Sequence, residues 1–139
     1  MNGLKKETQK KCPRLAEWVR YIDRNKKKHM KKFLALYHSS AEAQKMMQTA
    51  APEQQKAAMQ KWLDWKMKNQ KHIVDFGAPT TPSQMANSTL NWQSTGSTIS
   101  GYSVFQASSE QELKTTFTDH PHLSWAEGAS IELSELINF

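Results

Sequence analysis

The stretch Gly101 to Leu123, GYSVFQASSEQELKTTFTDHPHL, constrains the fold more than any other part of the chain. Tyr102 to Ala107 is an aromatic and β-branched run of strand length. Ser109 followed by Glu112 makes a capping box, in which each side chain satisfies a free amide at a helix start. Leu113 and Phe117 recur four apart, on one helical face. Pro121 has no amide hydrogen and restricts the residue before it, so the spacing predicts a helix ending at or before His120, with His120-Pro121-His122 on a loop. A strand, a capped helix and a histidine-bearing loop thus follow in order. No complete catalytic signature accompanies them.

The formal charge of +6 over 139 residues is unevenly placed. Residues 1–32 carry 12 Lys and Arg against 3 acids, and residues 33–139 carry 7 against 10, a net +9 and −3. The basic character therefore belongs to an N-terminal segment, and the remainder lacks the electrostatic footprint of a nucleic-acid-binding domain. A single cysteine, Cys12, permits no intrachain disulfide and suits a reducing compartment, so a cytoplasmic location is the expectation. No apolar run approaches the length of a membrane span.

Residues 1–29 are expected to be a basic extension, with an amphipathic stripe at Leu15, Trp18, Val19 and Ile22. Such a stripe among Lys and Arg suits contact with anionic lipid or a partner. It is also only about two turns long, too short to be a stable helix alone. Residues 30–139 are expected to be one domain. Phe33 to His38 is a strand with Phe33, Ala35 and Tyr37 on one side and Leu34, Leu36 and His38 on the other. Ser39 to Met47 begins with a turn or short helix, and Pro52 opens a longer one running to about Lys71. In that helix Met59, Leu63 and Met67, with Ala58, Trp62 and Trp65 beside them, are expected to form a broad buried face.

His72 to Ala78 predicts a second strand, ended by Gly77. Pro79 to Ser100 is a long polar connection in which Thr89 to Gln93 is a candidate short strand. Trp125 to Gly128 is expected to be a loop, and Ala129 to Leu133 a last strand with one greasy and one polar face. The core order of strand, helix, strand, strand, helix, strand predicts an α+β fold, an antiparallel sheet with both helices on one face. Because the first strand is apolar on both sides, a second copy of the sheet is the expected cover for the other face, making a homodimer.

With these elements placed, Met30 to Leu136 resembles the YCII-related family of dimeric α+β barrel proteins. The resemblance rests on several segments together: MKKFLALY, a Trp-containing first helix leading to DFGAP, then GYSVFQASSEQEL, HPHL and ASIELSEL. It implies a ferredoxin-like protomer, a dimer with a cavity between facing sheets, and a domain that starts at Met30. Founding members carry a His on the first helix and an Asp in an Asp-Pro at the end of the second. Here Gln60 stands near the first position and His120 precedes Pro121 at the second, so both members of that pair are replaced. Most relatives have no established activity, and a few are linked to elimination chemistry on chlorinated hydroquinones.

His120 is the leading catalytic candidate, as an imidazole able to donate or accept a proton, with Asp119 placed to orient it. The competing expectation is structural, with His120 hydrogen-bonding backbone where the chain turns. Tyr37, Asp75, His122, Glu132 and Trp62 are candidate ligand-binding residues, and Glu132 paired with His120 is a candidate proton shuttle if both line the cavity. Only one parity of each strand reaches that face. Two histidines with no identified carboxylate or thiolate make a weak metal pattern, so no metal and no cofactor are expected. Two functions remain open. One is a small homodimeric binding or accessory domain with a cavity for a small organic ligand. The other is a cofactor-independent enzyme performing acid/base chemistry on a small aromatic or carbonyl compound through His120.

Overall fold

A computed structural model describes residues 14–20 and 30–138. The chain divides into two units, Met1–Met30 and Lys31–Phe139. In the first, residues 15–20 are helical, and Leu15, Trp18 and Val19 are all exposed. Ile22 and Cys12 lie outside the described residues. Among the described residues no helix is long and apolar enough to cross a membrane.

The second unit is mixed α+β, with a four-stranded antiparallel sheet and several helices. Strand β1 (Lys31–His38) pairs with β5 (Ile99–Ala107) on one side and β6 (Ser130–Glu135) on the other, and β2 (Ile73–Pro79) adds to the outer edge of β5. The order is β2-β5-β1-β6. The two most apolar strands are therefore central, where both neighbours complete their backbone hydrogen bonds. Register follows the period of two. Phe33 lies opposite Phe105, Ala35 opposite Ser103 and Leu133, and Tyr37 opposite Gly101 and Ile131. These residues share one face, on which Phe33, Ala35, Phe105 and Ala107 join Trp65, Leu113 and Phe117 in the core.

The helices start where the local chemistry directs. Ser40 Oγ accepts from the Ala43 amide at 3.0 Å and caps α1 (Ala41–Thr49). Pro52 occupies the first turn of α2 (Pro52–Lys68), where its missing donor costs nothing. Ser109 Oγ accepts from the Glu112 amide at 3.1 Å to cap α3 (Glu110–Thr116). The returning Glu112 carboxylate reaches Ser108 rather than Ser109, accepting from its amide and its hydroxyl.

Several boundaries differ from expectation. His120-Pro121-His122 is not a loop. After a single 3-10 turn (Phe117–Asp119), His120 becomes the N-cap of a further helix, α4 (Pro121–Trp125), and Pro121 begins that helix. The proline ends one helix and starts another, since its fixed φ suits a first turn. Trp125 belongs to α4, and the last strand runs from Ser130 to Glu135. The Thr89–Gln93 strand is instead a hairpin of β3 (Gln84–Ala86) and β4 (Trp92–Ser94). Asn87 Oδ1 accepts from the amides of Thr89 and Asn91, each at 3.0 Å, and this turn holds Thr89 to Asn91 out of the strand.

Helix α2 shows the largest difference. Trp65 is 4% exposed, Trp62 is half-buried, and Met59 and Met67 are 55% and 69% exposed. The spacing identifies two adjoining stripes, and only Ala58-Trp62-Trp65-Asn69 turns toward the sheet. The bulk of two indoles separates helix from sheet and leaves the Met59-Leu63-Met67 stripe facing out. Gly77 is also fixed by packing: with φ +76°, a Cβ there would lie 1.8 Å from the Tyr102 carbonyl oxygen. Only glycine allows β2 to approach β5 so closely.

Trp65→Ala is expected to destabilise the domain by about 3–5 kcal/mol, and Met59→Ala by no more than about 0.5 kcal/mol, in urea denaturation. Equal losses would show that the two stripes are misassigned.

Candidate functional site

The buried polar residues of the core converge on Tyr37. As the last inward residue of β1, its ring lies beneath α2 and α4, 5.2 Å from Trp62 edge-on and 5.0 Å from His122. Tyr37 Oη donates to Ser103 Oγ at 2.8 Å, and Ser103 Oγ donates to the Phe76 carbonyl at 2.5 Å. His120 completes the chain. Its Nδ1 accepts from the His122 amide at 3.1 Å, and its Nε2 lies 3.3 Å from Tyr37 Oη.

These contacts decide the tautomer. Nδ1 holds no hydrogen, because a backbone N–H points at it, so the ring proton is on Nε2. The Tyr37 hydrogen is already committed to Ser103, so the phenolic oxygen accepts from His120 Nε2–H. Hydrogen bonds therefore run one way, from His122 amide and imidazole through tyrosine and serine to a carbonyl. His122 is fixed in the same form: Trp125 Nε1–H donates to its Nδ1 at 3.0 Å, leaving Nε2–H to donate to the His38 carbonyl at 2.9 Å.

The surroundings of His120 are apolar and aromatic. It is 1% exposed, with the rings of Trp65 at 4.3 Å, Trp62 at 4.9 Å and Phe117 at 5.5 Å. Burial pushes its pKa down from 6.5 to about 3, with charge repulsion from His122 adding to the effect and Asp119 opposing it. Burial likewise lowers His122, against the hydrogen bonds to the backbone of His38 and Ser130. Burial raises Tyr37 to about 12, its hydrogen bond to Ser103 opposing. All three are held neutral. An acid/base catalyst needs a lone pair or acidic proton that substrate can reach, and His120 spends both nitrogens inside the protein.

The expected site residues separate into two groups on opposite sides of the sheet. Tyr37, His120, His122 and Trp62 lie together between sheet and helices. Asp75 and Glu132 lie on the other face, Asp75 opposite Val104 and accepting from Tyr102 Oη at 3.3 Å, and Glu132 opposite Leu36. The expected Glu132–His120 shuttle is therefore not formed, and Tyr37 does not line the open face. The cause is parity: the inward set of β1 contains Tyr37, while Glu132 belongs to the outward set of β6. Asp119 does not orient His120 either. It is taken by Trp65 Nε1 at 3.2 Å and Lys68 Nζ at 2.5 Å, and the Lys68 hydrogen bond is the main cause that holds its carboxyl below the usual range. With Lys61, Asp64 and Ser124 these residues line a surface groove of about 290 Å³ between α2 and α4.

On the open face Glu132 pairs with His38, Oε1 to Nε2 at 3.3 Å, and His38 Nδ1 is 2.8 Å from Thr98 Oγ1. Sequence reasoning did not single out Thr98, which lies in the polar connection before β5 with no periodic signal. No protein-family model matches the chain, and no curated protein matches it.

Because folding depresses the pKa of both buried histidines, the unfolded chain binds protons more readily at acid pH. Their contribution to stability is complete above the unfolded value near 6.5 and is lost as pH falls below it, for His120 down to about 3 at up to about 1.4 kcal/mol per pH unit, with His122 adding in the same direction. Denaturation measured across this range is expected to show that slope, flattened by roughly one proton in His120→Gln. An unchanged slope in the variant would mean that His120 titrates normally in the folded protein.

Proposed function

We propose that this chain is a small homodimeric binding or accessory domain in which the open faces of two sheets meet around a cavity for a small organic ligand. The observation that carries this reading is the uneven covering of β1. Helices α2, α3 and α4 pack on its Phe33-Ala35-Tyr37 side. Leu34 and Leu36, flanked by Val104 and Tyr102 of β5, stay half-buried on the other. An apolar strip of this kind in the middle of a sheet favours a partner with the same surface.

The order β2-β5-β1-β6, with one helix-bearing connection from β1 to β2 and another from β5 to β6, supports a ferredoxin-like protomer. The segments shared with the YCII-related family support the same assembly, and one cysteine in the whole chain suits the cytoplasm. The enclosed state of His120 favours binding over catalysis by that residue. Its nitrogens cap a helix and close a buried hydrogen-bond chain, which is structural work.

Light scattering at micromolar concentration is expected to give twice the 16.0 kDa chain mass. Leu36→Asp, which places a charge in the middle of the proposed interface, is expected to give a folded monomer with an unchanged circular dichroism spectrum. A wild-type monomer would remove the dimer and the cavity with it.

A further inference from the structure

The helix at residues 15–20 starts where the Arg14 carbonyl accepts from the amides of Glu17 at 2.9 Å and Trp18 at 3.1 Å. At about 3.6 residues per turn, Leu15, Trp18 and Val19 fall within about 100° of one another around its axis, and Glu17 falls on the opposite side. Leu15 is 79% exposed, Val19 49% and Trp18 46%, so the folded chain leaves this stripe at the surface. Arg14 and Arg20 stand at its two ends, both exposed, with Arg20 Nε donating to the Ala16 carbonyl at 3.3 Å. An apolar stripe with cations beside it makes a short amphipathic helix, and residues 1–32 around it carry a net +9.

We propose that this helix is a contact for an anionic lipid surface, a role separate from the ligand reading of the domain. Reversible membrane contact needs two signals, and both are present. The stripe enters the boundary between headgroups and acyl chains, and the cations hold it to the phosphates. Trp18 suits that boundary, where an indole sets its ring in apolar surroundings and its N–H near water. Two turns are too short to be a stable helix in water, and burial of one side in lipid supplies what the length does not. The distribution of charge decides between a lipid surface and other acidic partners. Only Arg14 and Arg20 of the 12 basic residues in positions 1–32 stand at the helix, so the positive charge extends well past the stripe. A plane of headgroups matches that extent, whereas a groove that takes a helix matches the stripe alone. A nucleic acid offers the charge but no apolar layer for Leu15 and Val19.

Flotation of the full-length chain with lipid vesicles tests this. Vesicles of phosphatidylcholine with about one third phosphatidylserine are expected to bind it about a hundredfold better than phosphatidylcholine alone, at about fivefold for each of three cations engaged. Leu15→Gln, which keeps the net charge, is expected to weaken that binding about tenfold. Arg14→Gln with Arg20→Gln is expected to weaken it about 25-fold. Glu17→Gln puts the same side chain on the polar side of the helix and is expected not to weaken it. The melting temperature is expected to hold in every variant, because all four side chains are exposed. No binding to the anionic vesicles, equal binding to the two kinds of vesicle, or a loss as large in Glu17→Gln as in Leu15→Gln overturns the proposal. So does Leu15→Gln binding as tightly as the wild type, and tight capture of a single-stranded oligonucleotide in that case would make the segment a general polyanion contact.

Discussion

Everything in the domain depends on β1 being a strand with two apolar faces. Phe33, Ala35 and Tyr37 bring the helices onto one side, and the same alternation leaves Leu34 and Leu36 on the other. The strand is central, and the order β2-β5-β1-β6 sets it between two antiparallel partners, where register decides which face meets the helices. The core is then closed by small residues as much as by large ones. Ala35, Ser103 and Ala107 are fully buried and leave room for the rings of Phe105, Trp65 and Phe117.

The histidine chain shows how an interior containing polar groups is made to hold together. Burying an imidazole and a phenol costs free energy unless their hydrogen bonds are met, and here each donor finds an acceptor in sequence until a backbone carbonyl ends the line. Tyr37, Ser103, Phe76 and His120 come from four different segments, so the chain ties β1, β5, β2 and α4 to one another. It also fixes the tautomer of His120, while Trp125 and the His38 carbonyl fix His122 in the same form. Chemistry that looked reactive in the sequence is, in the folded protein, a means of specifying one arrangement of strands and helices.

What was legible in the sequence was what local chemistry and periodicity decide. The strand at Phe33, the Ser109 cap, the proline start of α2 and the greasy parity of the last strand follow from residues within a few positions of one another. Which of the two stripes on α2 turns inward does not, because Met59 and Trp62 are equally apolar and only the depth available above the sheet separates them. The candidate site was legible as a set of residue types but not as a place. Tyr37, His120 and Glu132 are all titratable and all near the sheet, yet the side each faces depends on register between strands far apart in sequence. Thr98 carried no signal at all, since its role arises only from the position of His38 across the sheet.

The connection between β2 and β5 joins strands that are neighbours in the sheet, and it is closed at its base by the Thr80 amide donating to the Ser100 carbonyl at 3.0 Å. Above that point Ser83 and Thr95 hydroxyls meet at 2.8 Å, and the hairpin forms a sheet of its own. The chain thus leaves the domain and returns at nearly the same place. The entropy of closing such a loop grows only slowly with its length. Thr98 still ties the end of the segment to β1, through the Ser39 amide and the His38 ring. The hairpin from Ser83 to Thr95, however, is in effect a graft on the scaffold, the part of this fold that can be shortened, lengthened or exchanged without altering the register of any core strand.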